Sequence, residues 1–190
     1  MRKIRIFEHI SLDGIIEHDK DYAYGEWTTP YRSAEGAEML LKSYGPDFDL
    51  LLGRHTYDLF SSFWPNAGRF PMADAINSAT KFTVTHRPES LRWGPVKSLG
   101  ENVTDEVRKL KSGEGPDLIV IGSSTLTSLL LAHGLAYEVV LITYPVLLGQ
   151  GKRLLSDQFS AQKLVFADSK ITPTGLFINT YRCEGTLGKA

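Results

Sequence analysis

The sequence of 190 residues is poor in cysteine, in charge of one sign and in long apolar runs. Its single cysteine, Cys183, cannot close an internal disulfide and has no thiol or histidine company of the kind that builds a metal cluster. A reducing, cytoplasmic setting with a buried or edge-strand thiol follows. The five histidines are scattered without ligand spacing and point to no metal. Lys and Arg number 21 against 22 Asp and Glu, a formal net charge of -1, so no broad basic field attracts nucleic acid or an anionic membrane. Any anion site must be local. The run from Leu126 to Leu135 is too short to span a bilayer and is broken by Thr127, Ser128 and His133. Met1 to Phe7 alternates basic and apolar residues and lacks the apolar block of a signal peptide. Neither a G-x-G-x-x-G fingerprint nor a G-x-x-x-x-G-K-[ST] phosphate loop occurs.

What is present suits one globular domain over residues 1–190. A hydrophobic fraction of 42% and a charged fraction of 23% are ordinary for such a chain, and the length allows a sizeable core. Ile4, Ile6 and His9-Ile10 form a β-rich run that ends in the turn Ser11-Leu12-Asp13-Gly14. Asp19 to Tyr31 holds Tyr22, Tyr24, Trp27 and Tyr31 without a clean period, a long loop of the sort that covers sites. Helical spacing from about Ser33 to Tyr44 stops at Gly45-Pro46. Asp49 to Leu52 reads as a strand entering Gly53-Arg54-His55-Thr56 and a helix. Lys81 to Thr85 is a strand closed by His86-Arg87-Pro88. Asn102 to Leu110 is a capped surface helix. Asp117 to Ile121 has the unbroken apolar pattern of a strand buried on both faces, and it runs through Gly122 into Ser123-Ser124-Thr125-Leu126. Val139 to Ile142 is the next strand, and Lys163 to Ala167 with Leu176 to Arg182 form a hairpin. The architecture is α/β: a central mixed sheet, parallel through its crossovers, with a C-terminal antiparallel hairpin and flanking helices.

Three strand ends carry glycine, hydroxyl or cationic residues: Gly53 to Thr56, Thr85 to Arg87, and Gly122 to Thr125. Free N–H groups at a helix start, a glycine that lets an anion approach, hydroxyl donors and an arginine fork together suit a phosphate. Each piece also has a plain structural explanation, as turn, cap or solvated cation.

Ser11-Leu12-Asp13-Gly14, Leu52-Gly53-Arg54-His55-Thr56-Tyr57, Ile121-Gly122-Ser123-Ser124-Thr125-Leu126 and Pro145 to Leu154 occur in an order that resembles the dihydrofolate reductase superfamily. The nearer likeness is to its bacterial branch containing the reductase domain of riboflavin biosynthesis, and it spans nearly the whole chain. The resemblance implies a dihydrofolate reductase-like three-layer sandwich with NADPH across the carboxyl edge of the sheet, a small-molecule substrate and a homodimer. It places Gly53, Arg54 and Thr56 on the pyrophosphate and adenosine side and Thr85, His86 and Arg87 around the 2′-phosphate. Gly122, Ser123, Ser124, Thr125 and Leu126 take the pyrophosphate, and Ile10 and Ser11 border the nicotinamide. Hydride transfer to a C=N or C=O of a pterin-like or riboflavin-precursor-like heterocycle is the implied reaction. Asp13 is the candidate catalytic and substrate-binding residue, although Asp-Gly is also a good turn former. Trp27 and Tyr31 either stack on a flat substrate or fold into the core. Related chains carry paired glycines where this one has Gly122-Ser123, which leaves open a non-catalytic nucleotide-binding or assembly protein that keeps the fold.

Overall fold

The computed structural model describes residues 1–17, 26–155 and 159–188. Tyr22 and Tyr24 of the long aromatic loop lie outside the described residues. The described elements run β1 (Ile4–Ser11), β2 (Ile15–Glu17), α1 (Ala34–Tyr44), β3 (Phe48–Gly53), α2 (Arg54–Phe63), α3 (Pro71–Ser78), β4 (Lys81–Val84), β5 (Val96–Leu99) and α4 (Val103–Ser112). After these come β6 (Asp117–Ile121), α5 (Ser124–Ala132), β7 (Glu138–Tyr144), β8 (Lys152–Arg153), β9 (Gln162–Ile171) and β10 (Phe177–Thr186). An 8-stranded sheet has the order β5-β4-β3-β6-β1-β7-β10-β9, and β2 pairs with β8 in a small separate ribbon. The pairs from β5 through to β7 are parallel. β10 joins β7 and β9 antiparallel, which makes the sheet mixed and ends it in the hairpin.

Unbroken apolar runs, Leu50 to Leu52 in β3 and Leu118 to Ile121 in β6, explain these two strands, because a parallel strand covered by helices on both sides buries both of its faces. In β3, Leu50 and Leu52 face one core with Phe7, Tyr57, Met72 and Ile76, while Leu51 faces the other with Ile4, Ile6, Val107, Leu126 and Leu130. The alternation puts α1, α2 and α3 on one face of the sheet and α4 and α5 on the other, giving three layers. Caps fix the helix starts: the Ser33 hydroxyl accepts from the Gly36 N–H at 3.0 Å, and the Asn102 side chain accepts from Asp105 N–H.

Three elements exceed what the sequence pattern predicts. α3 is opened by Pro71 in its first turn and buries Met72, Ala73 and Ile76. β5 is an outer strand in which only Leu99 is buried, so its apolar period is too weak to read. The β2-β8 ribbon is held by contacts between residues far apart in the chain. The hairpin strands are also longer than their apolar stretches, because β9 is the sheet edge and exposes Leu164, Phe166 and Ile171.

Candidate dinucleotide crevice

The connections decide where a ligand can sit. β3 leads into α2 on one face of the sheet and β6 leads into α5 on the other, yet β3 and β6 are neighbours. Their carboxyl ends therefore part company, and an open α/β sheet forms its ligand crevice at such a switch point. The register pairs Leu50 with Ile119, so Gly53 and Gly122, each three residues on, come level at the floor. Above them lies a cavity of about 390 Å³ whose walls include Glu8, His9, Glu17, Arg54, His55, Thr56 and Gly122 to Leu126.

The floor is built from two different turns. Gly53 is extended, at φ -73° and ψ 158°, so its backbone asks nothing special of it. A side chain there would meet Ser123 Oγ at 3.0 Å, a contact tight enough to press on that hydroxyl, so glycine serves space here. Gly122 and Ser123 are both left-handed, at φ 62° and 60°. Left-handed backbone costs an ordinary L-residue about 1 kcal/mol, and Ser123 is the one non-glycine described residue that adopts it. Its hydroxyl explains the choice. Oγ accepts the Gly53 N–H at 3.0 Å and pairs with Thr56 Oγ1 at 2.8 Å, clamping the two turns together. The Ser123 hydroxyl caps no helix and serves the neighbouring turn. Among the described residues no side chain caps α5 or α2, so the opening amides of both helices, including those of Ser124, Thr125 and Leu126, sit at the crevice with their partial positive charge.

Arg54 borders the cavity, but its guanidinium is engaged within the chain. It binds Asp58 at 2.9 Å, Thr85 Oγ1 at 3.2 Å, the Arg87 carbonyl at 3.2 Å and Ser90 Oγ at 2.6 Å. It thereby draws the loop after β4 against α2, where the side chains of His86 and Arg87 are exposed; Thr85, His86 and Arg87 do not themselves border the cavity. Thr85 is buried and holds the Arg87 N–H through its hydroxyl.

Opposite the floor stand groups that the sequence pattern did not flag. Glu8 is 4% exposed, and its Oε2 is buried without a hydrogen-bond partner among the described residues. Burial raises its pKa to about 8; Lys152 pulls the other way and Glu17 adds to the rise. At the rim Glu17 receives His55 Nε2 at 3.1 Å and Lys152 Nζ at 3.3 Å. Burial also drops His9 to about 4, so it is neutral, and its Nδ1 lies 2.7 Å from the Tyr144 hydroxyl. A charged residue inside the first strand was the available signal for Glu8. The β2-β8 residues had none, since their position depends on a long-range pairing.

Asp13 does not fit the role of proton donor. Its carboxylate accepts from Ser11 Oγ at 2.6 Å, Leu148 N–H at 3.1 Å and Gly149 N–H at 2.6 Å, and these bonds, the Ser11 one foremost, hold its pKa at about 2. A carboxylate held ionised by three donors is no proton source, and it is absent from the cavity wall. It ties the turn after β1 to the loop after β7, and Arg153 Nη1 binds the Asp13 carbonyl at 2.8 Å, which together seat the β2-β8 ribbon on the rim. Ser11 serves the same turn by accepting Ile15 N–H at 2.9 Å, and neither Ile10 nor Ser11 borders this cavity. Trp27 and Tyr31 pack edge-on against Tyr144, at 4.9 Å and 5.5 Å between ring centres, so both go to the half-buried margin of the core.

The three-layer mixed sheet with its crevice at the β3-β6 divide is the dihydrofolate reductase-like fold. Dihydrofolate reductase from Enterococcus faecalis complexed with NADP(H) superposes with a TM-score of 0.59, at 12% identity and 96% coverage of each chain. Residues 2–178 match the RibD C-terminal domain, and the chain belongs to that family. A putative riboflavin biosynthesis protein from Shewanella sp. PV-4 is similar at a TM-score of 0.72, with 21% identity over 96% of this chain and 99% of that one. Uncharacterized protein YyaP of Bacillus subtilis (strain 168) is 25% identical over 141 residues, 72% of this chain and 74% of the relative.

Proposed function

We propose that the chain is an NADPH-dependent oxidoreductase that delivers hydride to a C=N or C=O of a small heterocyclic substrate of the pterin or riboflavin-precursor type. One observation carries the reading: two uncapped helix starts meet at the switch-point crevice, over a floor kept flat by Gly53 and a left-handed Gly122-Ser123 pair. A pyrophosphate fits there because backbone N–H groups and two helix dipoles converge on a floor whose own turns, Gly53 to Thr56 and Gly122 to Thr125, carry no acidic side chain, Glu8 and Glu17 standing on the opposite wall. The opening amides of α5 from Ser124 to Leu126, with Thr56 and Gly53 opposite, hold the pyrophosphate. Thr85, His86 and Arg87 surround the 2′-phosphate, Arg87 supplying a planar charged fork. Arg54 acts by fixing that loop, through its bonds to Thr85, Arg87 and Ser90.

The bound cofactor supplies the hydride, and the chain's own contribution is positioning. The β2-β8 ribbon, seated by Asp13, walls the crevice through Ile16, Glu17 and Lys152. The heteroatom of the reduced bond takes its proton from water, Asp13 being held ionised. The Gly-to-Ser replacement that leaves room for a non-catalytic protein loses weight, because Ser123 keeps the backbone a glycine would adopt.

Calorimetric titration with NADPH and NADH tests the proposal. NADPH binds more tightly than NADH, and Arg87→Ala weakens NADPH more than NADH. Absence of binding by both cofactors overturns it.

A further inference from the structure

Glu8 is the group in the cavity wall that the function above does not use. It sits on β1 level with Leu141 of β7, close to the strand's carboxyl end, and lines the same cavity as the uncapped start of α5. A buried carboxyl with one oxygen left unbonded is costly unless something completes it, since buried polar atoms without partners lose their full hydration. Within the chain nothing described completes it. Lys152 acts on it only through space, and Glu17 spends its two oxygens on His55 and Lys152. We propose that the Glu8 side chain recognises the carboxamide of the nicotinamide ring, its O–H donating to the amide carbonyl and its own carbonyl oxygen accepting from the amide N–H. This inference rests on the dinucleotide reading of the crevice.

The chemistry follows from the neutral acid. A carboxylate offers acceptors alone, whereas an un-ionised carboxyl offers one donor and one acceptor side by side, the complement of a primary amide. With a pKa of about 8 the carboxyl keeps its proton at neutral pH. The charged groups facing it are Lys152 of β8 and Glu17 of β2, the latter paired to His55 of α2, while His9 beside it is neutral. Of the remaining wall, α2 brings Arg54, whose guanidinium is engaged by Asp58, Thr85 and Ser90, and Ile121 of β6 with Gly122 to Leu126 leading into α5 brings no titratable side chain.

The test is calorimetry of the full chain with NADPH and with 2′-phospho-ADP-ribose, which lacks the nicotinamide, at pH 7 and pH 9. For wild type, NADPH affinity falls about tenfold between the two pH values, as a single proton lost near pH 8 requires, while the truncated nucleotide is unaffected. Glu8→Gln, an amide that keeps one donor and one acceptor, flattens the NADPH profile, and other groups titrating in the same range, such as Lys81, leave their mark on both proteins alike. Glu8→Leu weakens NADPH about tenfold at pH 7 and leaves 2′-phospho-ADP-ribose unchanged. If the truncated nucleotide binds and NADPH affinity is the same at both pH values in wild type and Glu8→Gln, the assignment of Glu8 is wrong and the crevice reading stands. If neither nucleotide binds, both are wrong.

Discussion

Two turns that both open on glycine and close on threonine, Gly53-Arg54-His55-Thr56 and Gly122-Ser123-Ser124-Thr125, floor the crevice, and they use glycine for different reasons. At Gly53 the backbone is ordinary and the space is not: Ser123 Oγ occupies the place a side chain would need. At Gly122 the neighbourhood is looser, its nearest atom being Thr56 Oγ1 at 3.4 Å, and the backbone is the constraint, at φ 62°. The second turn then continues left-handed through a serine, whose hydroxyl bonds stand against the strain. The lesson is that a glycine in a strand-end motif reports either crowding or conformation, and the residue names alone do not say which.

The largest expected effect lies outside both turns and isolates them. Glu8 holds its proton with a pKa of about 8 when folded and 4.5 ordinarily. Between those values the folded chain binds a proton that the unfolded chain has released, so stability falls as pH rises through that window. Glu8→Gln removes the penalty and stabilises the chain at pH 7 by an amount on the order of 3 kcal/mol, with little gain near pH 4.5. Urea unfolding at several pH values reads this directly. If neither turn is the source of the pH dependence, variants of Gly53 and Ser123 shift the curve without changing its slope.

Gly53→Ala separates crowding from conformation. It costs roughly 1–3 kcal/mol through overpacking against Ser123, and the cost shrinks in a Ser123→Gly background, where the obstructing side chain is gone. Gly122→Ala costs about 1 kcal/mol or somewhat more from left-handed strain, and Ser123→Gly does not relieve it. Equal relief of both variants by Ser123→Gly would erase the distinction between the turns. The smallest contrast is within Ser123 itself. Ser123→Ala keeps the strain and loses the bonds to Gly53 and Thr56, whereas Ser123→Gly loses the same bonds and sheds the strain. Alanine is thus the more damaging by about 1 kcal/mol, measurable as a difference in urea midpoint.

Much of the fold was legible because its strands obey local rules. Asp117 to Ile121 is apolar throughout, and Ser33 and Asn102 announce helix starts that the structure confirms. α3 escaped because its apolar stripe, Met72, Ala73 and Ile76, spans only 8 residues, and β5 because Leu99 alone of its four residues is buried. In the site, the two glycine turns were readable and do meet. The same residues also misled. Arg54 reads as a phosphate ligand until Asp58, Thr85 and Ser90 are seen to occupy it, and Asp13 reads as an acid until its three donors are counted. Glu8, Glu17 and Lys152 share a cavity only because β2 pairs with β8 across more than a hundred residues of chain. Such a pairing leaves no trace in spacing.

The central claim is that the β3-β6 divide is a dinucleotide crevice, and amide chemical shifts followed during NADPH titration test it most directly. Binding in the crevice gives saturable shifts concentrated in Gly53 to Thr56 and Gly122 to Leu126, with further shifts at Thr85 to Arg87. Shifts confined to the shallow hollow between β5 and α4, around Lys97 and Lys109, or an unchanged spectrum at saturating NADPH, would contradict it.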